Sequence, residues 1–314
     1  MLEEVHAPLV AGLFGLGRDA TLVGPVASGR LGRIWRLTTN RGRFAVKDSN
    51  HPIDRDEVER DAAYQDVVRR HGVPMPAVVR TPDGTVLAEV DGFPVRVYEW
   101  VEVLGPERRL DPTEVGRLLA SIHTVHVPTD EPVDPWYVDP VGEDSWAELV
   151  GRLRDARAPF ADRLAALVPD VLAVEALLTA PADRQVCHRD LWADNVLRTP
   201  TGDVVVLDWE NSGAGSPAQE LAVAAFEFGC GDPARIGALY ASYVEAGGPG
   251  RLEQPSDLTM LIAQTGHIAQ IGCERWLSAE TDADRADNAA WVGEFLAEPV
   301  TVETVRAILR SVNR

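Results

Sequence analysis

Positive charge is scarce in this sequence: 30 Lys+Arg stand against 49 Asp+Glu, a formal net charge of −19. That excess repels phosphate backbones and anionic lipid headgroups, so nucleic acid and membrane surfaces are poor partners and a cationic small molecule suits the field best. Cysteine is also thin. Cys187, Cys230 and Cys273 are odd in number, widely spread and without a CxxC pair, which argues against a disulfide framework or a zinc site and fits a reducing cytoplasm. No run approaches the roughly 18 apolar residues of a membrane span, and the opening Met1-Leu2-Glu3-Glu4 is acidic where a secretory signal would be basic. The expectation is a cytoplasmic, unprocessed chain. Repeats and low-complexity stretches are missing too, and no obligate protein partner is inferred.

What is present is an ordinary globular composition, 45% hydrophobic and 25% charged over 314 residues, about twice a usual domain length. The first hundred residues are strand-rich. Short β-leaning runs cover 21–27, 33–39 and 43–48, the last two joined by the turn Thr39-Asn40-Arg41-Gly42. A polar helical stretch over 54–70 stops at His71-Gly72-Val73-Pro74, and two more strands flank Asp91-Gly92. From Leu110 the texture changes. Asp111-Pro112-Thr113-Glu114 combines an N-cap, a proline at the first helical position and a capping-box glutamate, and Val115, Leu118, Leu119, Ile122 and Val125 repeat at helical spacing. Further helices are expected near 143–157, 160–179, 217–228, 232–246, 256–278, 284–297 and 301–312, with one strand-rich island over 185–209 between them. This reads as an α+β chain of two lobes: a sheet-dominated N-terminal lobe over 1–98, a hinge over 99–102 and a helical C-terminal lobe over 103–314.

The island carries the chemistry. His188-Arg189-Asp190-Leu191-Trp192-Ala193-Asp194-Asn195 fits H-R-D-L-x-x-x-N throughout; a turn at 199–203 and an apolar strand then lead to Asp208-Trp209-Glu210. Phosphoryl transfer needs an acceptor for the nucleophile's proton and hard oxygen ligands for Mg²⁺ against the nucleotide phosphates. Asp190 suits the first task, Asn195 and Asp208 the second. Singly, an Asp in a turn or an Asn in a loop only caps backbone groups; it is their spacing around a hairpin that points to a site.

On these residues the chain resembles the aminoglycoside phosphotransferase and choline kinase group, small-molecule kinases that share the protein-kinase architecture. The resemblance implies a bilobal kinase-like fold using ATP or GTP with Mg²⁺. It gives Lys47, which ends Phe44-Ala45-Val46-Lys47 on a strand, the nucleotide phosphates. The family pairs that lysine with a helix glutamate, whereas counting back from Gly72-Val73-Pro74-Met75-Pro76 puts Asp61 there, with Glu57 one turn earlier as the alternative. Ser28-Gly29-Arg30-Leu31-Gly32 lies where the phosphate loop would be, although it lacks G-x-G-x-x-G. Tyr98-Glu99-Trp100-Val101 resembles the hinge, in which Glu99 C=O and Val101 N–H would meet the purine edge. Tyr98 falls at the gatekeeper position, which keeps GTP beside ATP as donor.

Only nine positions separate Asp208 from Pro217, too few for a protein kinase's activation loop and peptide platform. Glu220 stands where the family has an aspartate buttressing the catalytic loop. Glu210, Glu274 and Trp276 are the expected acceptor contacts, carboxylates and a flat aromatic suited to ammonium groups and sugar faces, and Asp134 to Asp139 has the same character. His123, His126 and His267 read as structural. The expected acceptor is an aminoglycoside or amino sugar, with antibiotic resistance as the consequence, ahead of macrolides, choline, ethanolamine, homoserine and fructosamines. Two other classes compete: a metal-dependent hydrolase built on His188, Asp190, Asp194 and Asp208, and a nucleotide-binding pseudokinase without turnover.

Overall fold

The computed structural model describes residues 2–28, 32–49 and 53–313. A short helix, α1 (Ala7–Leu13), precedes three long antiparallel strands: β1 (Thr21–Ser28), β2 (Gly32–Thr39) and β3 (Gly42–Ser49). Helix α2 (Arg55–Arg70) follows, opened by Asp54, whose carboxylate accepts from the N–H groups of Asp56 and Glu57. Then come β4 (Val78–Val79), β5 (Leu87–Val90) and β6 (Phe93–Glu99). Helix α3 (Pro112–His123) begins as its sequence predicts, with Pro112 in the first turn and the Asp111 carboxylate capping Thr113 N–H. Next are α4 (Glu143–Asp155), α5 (Ala161–Glu175), β7 (Gln185–Cys187), β8 (Val196–Arg198), β9 (Val204–Val206) and β10 (Gly213–Gly215). Helices α6 (Pro217–Gly229), α7 (Pro233–Glu245), α8 (Thr259–Ser278), α9 (Asp282–Ala297) and α10 (Val302–Val312) complete the chain. None of the described helices is long and apolar enough to cross a membrane.

The chain divides into two units that do not follow the expected 98/99 and 102/103 boundaries. The first comprises Met1–Glu107 and Asp190–Ser212, the second Arg108–Arg189 and Gly213–Arg314. The difference has a local cause, because the β8–β9 hairpin is bonded into the first unit. Val206 N–H donates to Pro74 O at 2.9 Å and Leu104 N–H to Arg198 O at 2.7 Å.

In the first unit the sheet runs β1-β2-β3-β6-β4, with β5 also paired to β6. Strands β3 and β6 are antiparallel, matching Val46 with Val97 and Lys47 with Arg96. Side chains alternate across a strand. Val46 and Val97, both 0% exposed, therefore enter an apolar core with Leu37 and Val95, and the next pair, Lys47 and Arg96, faces the other way. The second unit is helical. Among the described residues one of its cores gathers Trp146, Leu153, Phe160, Leu164 and Cys273, and β7 pairs with β10 as a two-stranded ribbon.

Candidate active site

All four residues expected to carry the chemistry, Lys47, Asp190, Asn195 and Asp208, lie in the first unit. The β8–β9 hairpin pairs Val196 with Val206, and Leu207 N–H donates to Asn195 O at 2.8 Å. The residue before β8 thereby meets the residues after β9. The Asn195 amide turns toward Asp190: Nδ2 donates to the Asp190 backbone O and to its Oδ2, both at 2.9 Å. With both amide hydrogens directed there, the acceptor Oδ1 is the group that Asn195 can offer a cation. Asn211 Nδ2 donates to the same Asp190 Oδ2 at 3.0 Å. Asn211 was not expected; its position three residues after Asp208 was the signal, but only the turn that brings it back makes that spacing meaningful.

Asp208 sits at φ 54°, ψ 69°, in the left-handed region, which costs a side-chain-bearing residue energy and which Asp and Asn tolerate best. That conformation ends β9 and starts a single 3-10 turn, Trp209–Asn211. Trp209 anchors the turn. It is 3% exposed, its Nε1 donates to Val206 O at 3.2 Å, and its ring lies 5.8 Å from that of Tyr64 on α2.

Lys47 reaches this segment from the sheet. Its Nζ is 3.1 Å from Asp208 Oδ1 and 2.7 Å from Glu210 Oε2. Arg96 lies 2.7 Å from the same Glu210 oxygen, and Tyr98 OH donates to Glu210 Oε1 at a long 3.4 Å. This corrects the expectation for Glu210: its carboxylate is buried between two cations instead of being presented to an acceptor. Asp61, buried on α2, adds negative charge nearby. Burial works against the Arg96 charge, yet the carboxylates of Glu210, Asp208 and Asp61 offset it, and the guanidinium is held above its ordinary pKa. Burial, then the Glu210 charge, pushes the Tyr98 phenol far up, so it remains a neutral donor.

Of the expected phosphate loop, Ser28 ends β1, whereas Gly29 and Arg30 lie outside the described residues. Glu99 ends β6 with its N–H donating to Ala77 O at 2.9 Å, and Val101 follows outside any strand.

In the second unit Glu220, 0% exposed, accepts the backbone N–H of Arg189, the residue before Asp190. His123 Nε2 bonds Glu220 Oε2 at 2.7 Å and its Nδ1 bonds Tyr243 OH at 2.8 Å. These are the partners that make His123 structural. His123, Cys187 and Glu220 cluster closely enough to hold a metal, but His123 has both ring nitrogens bonded and burial pushes the Cys187 thiol well up, away from the thiolate that a metal needs. His126 bonds Gln185 Oε1 at 3.0 Å, and His267 bonds Asp139 O at 3.1 Å.

Burial opposes the Glu220 charge, but the hydrogen bond and charge of His123 prevail, and its pKa lies below the ordinary 4.5. An acid depressed on folding stabilises the fold above its unfolded pKa, and that stabilisation is lost as pH falls through the folded value. Unfolding free energy should therefore decline as pH drops below 4.5. Urea melts of wild type and Glu220→Gln across the acid range check this: the variant should be less stable at neutral pH and lack that decline.

The other expected acceptor contacts are also engaged within the second unit. Glu274 takes both guanidinium nitrogens of Arg152, at 2.6 and 2.7 Å. Trp276 is 8% exposed and packs edge-on against Phe160 in the core, 5.7 Å between centroids. The α8 periodicity turns Trp276 inward, so a flat face for a sugar is not available there. Two aromatics of the 134–139 segment are differently placed. Trp136 stacks on His267 at 5.0 Å, and Arg189 lies over Tyr137 at 4.3 Å.

A magnesium ion fits this donor set. Asp208 carries a carboxylate whose side chain is 36% exposed, Asn195 has its carbonyl oxygen left over, and both are hard oxygen donors, brought to one end of the hairpin by the bond from Leu207 N–H, the residue before Asp208, to Asn195 O.

Residues 23–254 match the sequence model of a family described as the phosphotransferase enzyme family. The homoserine kinase of Pseudomonas aeruginosa is 30% identical over 194 residues, 57% of this chain and 57% of that protein. The chain thus spans little more than half the length of the curated relatives it matches. Among solved structures, a spectinomycin phosphotransferase complexed with ADP and spectinomycin superposes with a TM-score of 0.68 at 13% identity, over 99% of this chain and 98% of that one. A microcompartment-associated aminopropanol kinase gives 0.56 at 19% identity, over 98% and 99%. The shared architecture is the bilobal, protein-kinase-like α+β fold.

Proposed function

Because the chain belongs to the phosphotransferase enzyme family, we propose that it is a small-molecule kinase moving the γ-phosphoryl group of ATP or GTP to a hydroxyl of an amine-bearing acceptor. One observation carries this reading. Lys47 from the sheet, Asp208 and Asn195 from the two ends of a hairpin, and Asp190 bonded to Asn195 form one linked cluster in a single unit. Asp190 would orient the acceptor hydroxyl and take its proton as the oxygen attacks phosphorus and the bond to the nucleoside diphosphate breaks. The amides of Asn195 and Asn211 fix the carboxylate's direction for that task. Lys47 would hold the phosphates, with Ser28, Gly29 and Arg30 as the expected phosphate loop and Glu99 and Val101 at the purine edge. Asn195 and Asp208 would hold Mg²⁺, which neutralises phosphate charge when bound.

For the acceptor, a chain of net charge −19 favours cations. The proteins it resembles are named for homoserine, spectinomycin and aminopropanol, alcohols that also bear amines. Aminoglycosides or amino sugars, with modification of such a drug conferring resistance, stand beside homoserine and simple amino alcohols in this class. A panel of homoserine, aminopropanol, choline, spectinomycin and an amine-free sugar, assayed for nucleoside diphosphate release with ATP and GTP in parallel, tests the proposal. Acceptor-stimulated release confined to amine-bearing alcohols is expected. Release without any nucleotide-dependent product, or equal use of the amine-free sugar, would overturn it.

A further inference from the structure

We propose that Glu210 is the positioning residue for Lys47, holding it beside Arg96 so that the lysine keeps its place when Asp208 turns to a metal ion. The inference deepens the kinase reading and rests on it. The register of β3 and β6 puts Lys47 directly opposite Arg96, and like charges facing each other across an antiparallel pair repel. A shared counter-ion is therefore required, and one oxygen of Glu210 provides it, 2.7 Å from each cation. The Lys47 side chain is 9% exposed, that of Arg96 5% and that of Glu210 8%. In such surroundings a carboxylate bonded to two cations is costly to remove.

The two carboxylates on Lys47 are not equivalent. Asp208 is 36% exposed and offers the oxygens that suit a cation, whereas Glu210 faces inward and is tied at Oε1 by the Tyr98 hydroxyl. A cation drawn to Asp208 loosens its pairing with Lys47 and leaves the Glu210 pairing in place. The arm holding Glu210 is itself fixed, since Trp209 is bonded to Val206 O and packed on Tyr64 of α2. The metal ligand and the lysine's anchor thus come from one three-residue turn, and without Glu210 the lysine would close on Asp208 and compete with the metal.

Lys47 is the only lysine in the sequence, so protein labelled with ¹⁵N-lysine gives a single side-chain ammonium signal, readable without substrate. Glu210→Gln should shift that signal or broaden it by exchange with water, while Asp66→Asn, an α2 carboxylate paired with Arg80 at 3.0 Å instead, leaves it nearly in place. In the same proteins the Kd of a fluorescent nucleotide with Mg²⁺ should rise on the order of tenfold or more for Glu210→Gln, the loss of a charged hydrogen bond, with KM for nucleotide rising more than kcat falls. Because Glu210→Gln strands two buried cations and can unfold the chain, Glu210→Asp is measured beside it; it keeps the charge on a shorter arm and should move signal and Kd in the same direction by less. An ammonium signal unchanged in whichever Glu210 variant folds, or one that moves equally with Asp66→Asn, would overturn the proposal. The signal reports on Lys47 whether or not phosphoryl transfer is found, so failure here is separate from failure of the kinase reading.

Discussion

Asp190→Asn should lower kcat on the order of 10²- to 10⁴-fold, the range expected when a positioned proton acceptor is removed, while nucleotide affinity stays near that of wild type. The split follows from the contacts. Asp190 Oδ2 is bonded to the amides of Asn195 and Asn211, whereas the nucleotide's charge is assigned to Lys47 and the metal. An amide at position 190 can turn its oxygen to both donors, since they share one oxygen of Asp190, but it loses the charge that strengthens those two bonds. The variant should therefore lose about 1 kcal/mol of stability. Single-turnover assays with a responsive acceptor, set beside calorimetric titration of the nucleotide, measure the two quantities separately. Turnover close to wild type would remove Asp190 from the role given to it.

Asp208→Asn is the second large effect expected, about 10²- to 10³-fold in kcat, since a metal's stabilisation of transition-state charge is worth several kcal/mol at about 1.4 kcal/mol per tenfold. Its signature is distinct from that of Asp190. The Mg²⁺ concentration giving half-maximal rate should rise markedly, because a neutral amide oxygen is a poorer ligand than a carboxylate. Folding should be little affected. Asn tolerates the left-handed backbone at φ 54° as Asp does, and the lost ion pair with Lys47 involves a carboxylate 36% exposed, so about 1 kcal/mol or less is at stake. Activity against Mg²⁺ together with thermal unfolding checks both halves. An unchanged metal dependence would take Asp208 out of the ligand set.

Asp190 and Asp208 are legible in the sequence because their signal is local. H-R-D-L-x-x-x-N and the aspartate after an apolar strand are short patterns whose geometry is set by a tight hairpin, so spacing along the chain becomes spacing in three dimensions. The same holds for α2 and α3, announced by Asp54 and Asp111 as caps, and for β1 to β3 with their short connections. Helix α1 was missed: it has seven residues and no side-chain cap bond at His6, and it is held through Val10 and Ala11 in the first unit's core. Two-residue β4 was missed for a similar reason, its identity coming from pairing with β6.

The acceptor contacts show where local reading fails. Glu210, Glu274 and Trp276 have the chemistry of a cation or sugar site, and each was spent elsewhere by partners far along the chain: Lys47 and Arg96 for Glu210, Arg152 for Glu274, Phe160 for Trp276. Asn211 is the converse, an unremarked side chain brought to Asp190 by a turn.

By itself the amino-acid order determined the strand-rich and helix-rich regions, the caps, the hairpin at 195–208 and the acidic surplus, because propensity, capping and hydrophobic period act over a few residues. The tertiary structure alone decided which unit the hairpin joins and which carboxylates Lys47 meets. Those outcomes depend on sheet register and on a left-handed residue at 208, and neither the facing of Lys47 by Arg96 nor their sharing of Glu210 leaves a trace within a short window of sequence.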